Sequence, residues 1–235
     1  MWRILFLAII FLVAACKSKG ESIAELAAEH RDDIEARYSS LRAIAERLDE
    51  IPLVTENAYA AVDPEPTIQP RELRDDDRQL LPYNTAVLHE EHLALLDSWQ
   101  RPDLAVELGS AIWITSAWRT IEKIEAGEEV DEGDDRDRER LEQVARLRYA
   151  VVVRTHRARA PVVTGENSFD SGFLEGEALV FTLDGGEHLG GFRFAAQNDE
   201  QVRAFSSLSD MRLENNLKYN ARDSLQAGLA QYAQR

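Results

Sequence analysis

Apolar residues recur at steps of three and four between Ile23 and Leu48: Ile23, Leu26, Ala27, Ile34, Tyr38, Leu41, Ala45 and Leu48. That spacing predicts one long amphipathic helix over residues 21–50, about 45 Å long at 1.5 Å per residue. Such a helix is either a stalk or an element packed on the body, and packing is the commoner fate. Residues 51–82 then hold five of the seven prolines, Pro52, Pro64, Pro66, Pro70 and Pro82. Proline removes amide donors and fixes φ, so this stretch reads as an extended surface connection. Beyond it, Val87, Leu88, Leu95 and Leu96 suggest a helix over 83–99. Residues 103–126, with Glu107 alone charged between Leu104 and Trp118, suggest a helix buried on most faces. Seven of the ten residues from Glu128 to Asp137 are acidic, which predicts a solvated loop, and helical spacing resumes from Arg138 to Arg148.

The period then changes. Tyr149–Val153 is short and β-branched, hence a strand, and Glu177–Leu183 alternates with Leu179, Phe181 and Leu183 on one face. Asp184-Gly185-Gly186-Glu187 supplies a tight turn, because glycine accepts the positive φ of two-residue hairpin loops. Such a loop places Leu179 opposite Phe192 on a return strand over His188–Ala196, with Phe194 on the same face. Gly190 and Gly191 inside that strand suggest a bulge or a close backbone approach. Residues 199–233 return to helical spacing, in one helix or two. The expected fold is α+β, with N- and C-terminal helices packed on a small three-stranded antiparallel β-meander spanning Arg148–Ala196. Residues 83–235 form the globular domain in this reading. No internal repeat supports a solenoid.

The first twenty residues follow a different logic. Met-Trp-Arg carries one positive charge; the apolar run Ile4–Ala15 follows, then Cys16 and the polar Lys17-Ser18-Lys19-Gly20. These are the parts of a secretory signal, and twelve apolar residues fall short of the ~20 that span a bilayer as a helix. Val13-Ala14-Ala15-Cys16 resembles the lipobox of bacterial lipoproteins, in which small residues precede a cysteine. The resemblance implies a signal peptide over residues 1–15, cleavage before Cys16, an S-diacylglycerol on that cysteine and a further acyl chain on its new amino group. The membrane is then the partner implied, through acyl chains, since two or three of them hold a protein where one barely does. Lys17, standing where an Asp would favour the inner membrane, points to the outer membrane facing the periplasm in a Gram-negative cell. The lipidated N-terminus and long helix together occupy residues 16–50.

Charge narrows the partners further. The 235 residues carry a formal net charge of −16. Phosphate binding needs a basic footprint, so no nucleic-acid partner is expected, and electrostatic adhesion to an anionic lipid surface is equally disfavoured. Cys16 is the only cysteine, which rules out an internal disulfide.

Candidate chemistry is sparse. His89-Glu-Glu-His92 places two histidines three apart on one helix face, but the zinc-protease pattern spaces them by four, so the expectation is no bound metal. Arg154, His156, Arg157 and Arg159 lie in a stretch, Gln143–Gly165, that has no acidic residue. With His188 and Asp184 they suggest an anion or acid–base site, or, more plainly, pairing with the acidic loop at 128–137 or acidic helices. The glycine-rich run Gly185–Gly191 lacks the ending of a phosphate loop, and no dinucleotide or other cofactor is expected. Trp99, Trp113 and Trp118 suit core packing, with a ligand wall as the alternative. The leading expectation is a non-catalytic binding or scaffolding lipoprotein of the cell envelope, engaging another envelope protein. The rival is an envelope hydrolase that uses His156 or His188 with nearby carboxylates. That rival needs one of those histidines in a concave pocket with a carboxylate in hydrogen-bond reach.

Overall fold

Strand-forming segments decide the architecture. In the computed structural model, which describes residues 22–56, 58–59, 84–98, 104, 108, 112–131, 135–165, 168–200 and 209–233, seven strands occur: β1 (Ala58–Tyr59), β2 (Thr85–His89), β3 (Tyr149–Arg159), β4 (Val162–Gly165), β5 (Ser168–Asp170), β6 (Phe173–Thr182) and β7 (His188–Gln197). Five of them build one sheet in the order β1-β7-β6-β3-β2, and β4 and β5 form a separate two-stranded ribbon. Helices α1 (Ile23–Arg47), α2 (Glu90–Ala94), α3 (Ile112–Glu125), α4 (Asp135–Ala145) and α5 (Asp210–Ala233) complete the body.

The fold is mixed helix and sheet, as expected, but the sheet is larger than a three-stranded meander. The antiparallel core β3-β6-β7 is extended by β1 on one edge and by β2, parallel to β3, on the other. Helical spacing misled the reading of residues 83–99. Thr85–His89 is a strand buried along its whole length, and the helix after it is only the five residues of α2. A fully buried strand has no polar face, so its apolar run cannot be told from a buried helix by periodicity.

Both sheet faces are covered. Ala86, Leu88, Ala150, Val152, Leu179 and Phe181 pack with α1, α3 and α4. Val87, Tyr149, Val151, Val153, Ala178, Val180, Phe192 and Phe194 pack with Leu217, Ala221, Leu225 and Leu229 of α5. Double coverage explains why Tyr149–Val153 is buried at every position. The long N-terminal helix is therefore no free stalk: Ile23, Ile34, Leu41 and Ile44 are all fully buried. A capping box fixes its start, with Glu25 N–H donating to Ser22 Oγ and Ser22 N–H to Glu25 Oε2. Helix α3 is one-sided; Ile114, Ala117 and Ile121 are buried while Glu122 and Lys123 are exposed, and Leu104 and Leu108 lie outside regular structure.

The hairpin register also differs from the expected one. Leu179 lies opposite Gly191, and Phe192 pairs with Ala178 on the α5 side, so Leu179 and Phe192 occupy opposite faces. Two changes combine: Thr182 N–H donates to the Glu187 carbonyl at 2.9 Å, so the loop is the four residues 183–186 and not two, and an extra residue in β7 between the partners of Phe181 and Val180 then reverses which face Phe192 takes. Gly190 takes up that extra residue with φ +112°. At Gly191 a Cβ would sit 2.8 Å from the Ala178 carbonyl oxygen, so the close backbone approach is real as well. The acidic stretch is split: residues 128–131 are irregular, whereas Asp135 and Asp137 open α4, where acidic groups favour a helix N-terminus.

Candidate functional site

Polar side chains gather where the end of α1 meets the sheet. Arg154 on β3 is the hub. Its Nη1 donates to Glu177 Oε1 (2.8 Å) and to the Ile51 carbonyl (3.2 Å), its Nη2 to the Leu48 carbonyl (2.7 Å), and its Nε to Glu90 Oε2 (3.3 Å). Glu177, opposite Arg154 on β6 and fully buried, accepts a second hydrogen bond from the Val54 amide at 2.6 Å. The guanidinium thereby adds a second donor to the Leu48 carbonyl, which already accepts the Ile51 amide of the short 3₁₀ turn Leu48–Glu50, and supplies one to the Ile51 carbonyl, at a helix end where a positive charge is favoured by the helix dipole. Burial raises the Glu90 carboxyl above its usual range and Glu91 adds to this, while Arg154 opposes it. The geometry is that of a clasp holding residues 48–54 on the sheet.

The arginine-rich strand is thus paired, but with partners other than the acidic loop. Arg157 reaches Glu175 at 3.3 Å, and Arg159 donates to the Ser171 carbonyl at 2.6 Å. Both guanidinium groups also lie over the Phe173 ring, at 5.2 and 5.5 Å from its centroid. These partners sit on or beside β6, the strand antiparallel to β3, a neighbour that only the register reveals.

His156 and His188 do not come together in one site. His156 Nε2 lies 3.6 Å from Glu177 Oε2, beyond hydrogen-bond reach, and that oxygen accepts from the Val54 amide. The His188 ring rests on Phe181, with centroids 5.1 Å apart. Partial burial lowers its pKa; a hydrogen bond with the Gly190 backbone opposes this, and the charges of Arg47 and Arg154 add to it.

His89 and His92 are built into the fold. His89 is the N-cap of α2, and its amide donates to His92 Nδ1 (3.3 Å), while its own Nε2 accepts from the Leu108 amide (3.0 Å). Each neutral imidazole has one lone-pair nitrogen, and here both are spent on backbone amides, so neither is free to ligate a metal. Burial pushes His89 down to about 4, and the neighbouring His92 contributes. Among the described residues no third His, Cys, Asp or Glu joins the pair.

Of the tryptophans, Trp113 packs at the margin of the core, Trp118 helps wall a cleft, and Trp99 lies outside the described residues. The cleft, of about 390 Å³, runs between α1 and α3 and is lined by Glu35, Tyr38, Arg42, Asp97, Trp118 and Arg119 among others. Tyr38 stacks on Trp118 (5.4 Å, 14°) and its hydroxyl donates to Asp97 Oδ1 at 2.8 Å. Arg42 holds the same carboxylate at 2.6 Å. Neither His156 nor His188 lines this cleft. Cys16 and the residues before it lie outside the described residues, as does most of the proline-rich connection. Comparison with protein-family models gives no match, and comparison with proteins of curated function gives none either.

Proposed function

We propose that the chain is an extracytoplasmic lipoprotein, held on a membrane by acyl chains on Cys16, whose body is a non-catalytic binding or scaffolding module of the cell envelope. The observation that carries this reading is the run Ile4–Ala15 ending in Val13-Ala14-Ala15-Cys16, followed within six residues by the Ser22 cap of α1. At no more than ~3.6 Å per residue, a link that short keeps the packed helix within roughly 20 Å of an acylated Cys16. The body is then displayed at the bilayer surface, with no long stalk. The five-residue link, 17–21, suits a partner that is itself at the membrane. No described helix is long and apolar enough to cross a membrane, so on this reading the acyl chains supply the attachment.

The non-catalytic half is supported by the way the fold employs its candidate groups. Glu177, Arg154, His89 and His92 are committed to backbone and to one another, and the carboxylate nearest His156 stands 3.6 Å from it and holds Arg154 and the Val54 amide. Cys16→Ser tests the anchor: wild-type protein is expected in the membrane fraction, and the variant in the soluble extracytoplasmic fraction or as uncleaved precursor. Equal partition of both would overturn the reading. In-cell cross-linking from the exposed face of α1 tests the binding half, with an envelope protein as the expected product.

A further inference from the structure

The cleft between α1 and α3, at about 390 Å³, has the size of a small-ligand pocket, but such pockets are mostly apolar and this one is not. Two of its lining residues are aromatic, Tyr38 and Trp118; the other six are charged or carry a hydroxyl, and none is aliphatic. The polar groups are open to a ligand. The side chains of Glu35, Arg42 and Asp97 are 47%, 55% and 61% exposed, and Glu122 is exposed as well.

The walls are braced from within. Tyr38 stacks on Trp118 and carries the Arg42 guanidinium over its ring, 5.5 Å from the centroid. Arg42 grips Asp97 through Nε (3.2 Å) and Nη2 (2.6 Å), and the Tyr38 hydroxyl donates to the same carboxylate. Trp118 Nε1 donates to Glu122 Oε1 at 2.9 Å, and Arg31 Nη1 to Glu35 Oε2 at 2.5 Å. The second oxygen of Glu35 and that of Glu122 accept from no described residue, so both remain acceptors facing solvent. Exposed pairs of this kind contribute little to stability, whereas side chains already held in place lower the entropic cost of binding.

Charge selects the ligand. Three carboxylates and two guanidinium groups share the lining, and Arg31 beside it is divided between Glu35 and Glu125. An anion would meet Glu35, Asp97 and Glu122, and a cation would meet Arg42 and Arg119; either juxtaposition is unfavourable. A hydroxyl suits both kinds of group, since it donates to a carboxylate and accepts from a guanidinium. An apolar ligand finds no aliphatic wall, while the C–H face of a sugar ring packs on an aromatic one. We propose that this cleft binds a neutral sugar ring, with Trp118 and Tyr38 as its aromatic wall and Arg42, Asp97 and Glu122 on its hydroxyls. The site goes beyond the tethering reading and does not depend on acylation of Cys16.

The test uses the full purified chain in a detergent without a sugar head group. The probes are the methyl glycosides of glucose, galactose, mannose and N-acetylglucosamine, with glucuronate and glucosamine as charged counterparts and acetyl-triglycine amide as a neutral peptide. A single ring binds at about 1 mM or weaker, so titration runs to about 50 mM. At least one neutral glycoside is expected to shift the ¹⁵N indole resonance of Trp118 saturably. Arg42→Ala, a change at an exposed side chain, is expected to bind that glycoside about tenfold more weakly or worse, and Arg157→Ala, away from the cleft, to bind it as the wild type does. No saturable shift from any of the four overturns the proposal, as does equal affinity in Arg42→Ala or an equal loss in Arg157→Ala. Tighter binding of glucuronate or glucosamine overturns the assignment of a neutral ligand, and a response to the peptide alone overturns the ligand class.

Discussion

Replacing Glu177 by Gln removes a buried charge while keeping its volume, and the cost follows from what its two oxygens do. One accepts from Arg154 at 2.8 Å and the other from the Val54 amide at 2.6 Å, with the Glu177 side chain fully buried and that of Arg154 only 11% exposed. A glutamine can satisfy one of these donors; its NH₂ then faces the other, donor against donor. Breaking one partner of a buried pair costs roughly 3–5 kcal/mol. Arg154 keeps the Leu48 and Ile51 carbonyls and Glu90, which places the expected loss at the lower end, about 3 kcal/mol. For a chain of this size that lowers Tm by about 6–12 °C. Urea unfolding followed by tryptophan emission measures it, with a double-mutant cycle through Arg154→Met and Glu177→Leu. In the cycle, each single variant is expected to be costly and the double variant to lose less than the sum of the two, because no lone charge of the pair is left buried, while Glu90, the Val54 amide and the Ile51 carbonyl still lose their partner. A loss below about 0.5 kcal/mol in Glu177→Gln, the range of an ordinary surface change, would refute the clasp.

Three further outcomes follow from local geometry. His89 is held near 4 in the folded chain against about 6.5 unfolded, so the unfolded state takes up a proton first; stability is full above pH 6.5 and falls by up to about 3 kcal/mol as pH drops toward 4. His89→Gln, whose carbonyl can still accept from Leu108, is expected to lose less stability than wild type between pH 7 and pH 4.5 in urea titrations; equal losses would contradict the assignment. Gly228→Ala drives a Cβ into the buried Phe192 ring, and overpacking of 1–3 kcal/mol outweighs the ~1 kcal/mol of helix propensity gained. Calorimetry is therefore expected to show a lower Tm for Gly228→Ala in the wild type, and no further lowering when the same change is made in a Phe192→Ala background, itself destabilised by the lost core ring. Asn198 is buried and uses its side chain on the Gly172 amide, the Leu213 carbonyl and Asn216, so Asn198→Ala is expected to cost about 2–3 kcal/mol and to loosen α5 from β7, seen as faster amide exchange along α5.

How far the sequence alone carries depends on whether a pattern is local. Ile23–Leu48 shows its helical stripe because one face is wet, and the ends of β7 follow from the turn glycines and alternation, to within a residue. β2 was hidden because a strand buried on both faces has no alternation to display, and its partner β3 lies sixty residues away. The bulge was readable as a glycine pair, but its effect on which residues face α5 needed the register. Likewise the arginines of β3 were visible as a patch, whereas their carboxylates on β6 become neighbours only once the hairpin is aligned. Glu177 gave no sequence signal: it is one charged residue in an acidic chain, distinguished solely by burial and by what surrounds it.

The most direct test of the account is the intact mass of the protein extracted from membranes of the native host. The predicted mass lacks residues 1–15 and carries added acyl groups, all of them on the N-terminal peptide that begins with Cys16. A chain that still begins at Met1, or a mature chain with an unmodified thiol at Cys16, would contradict it.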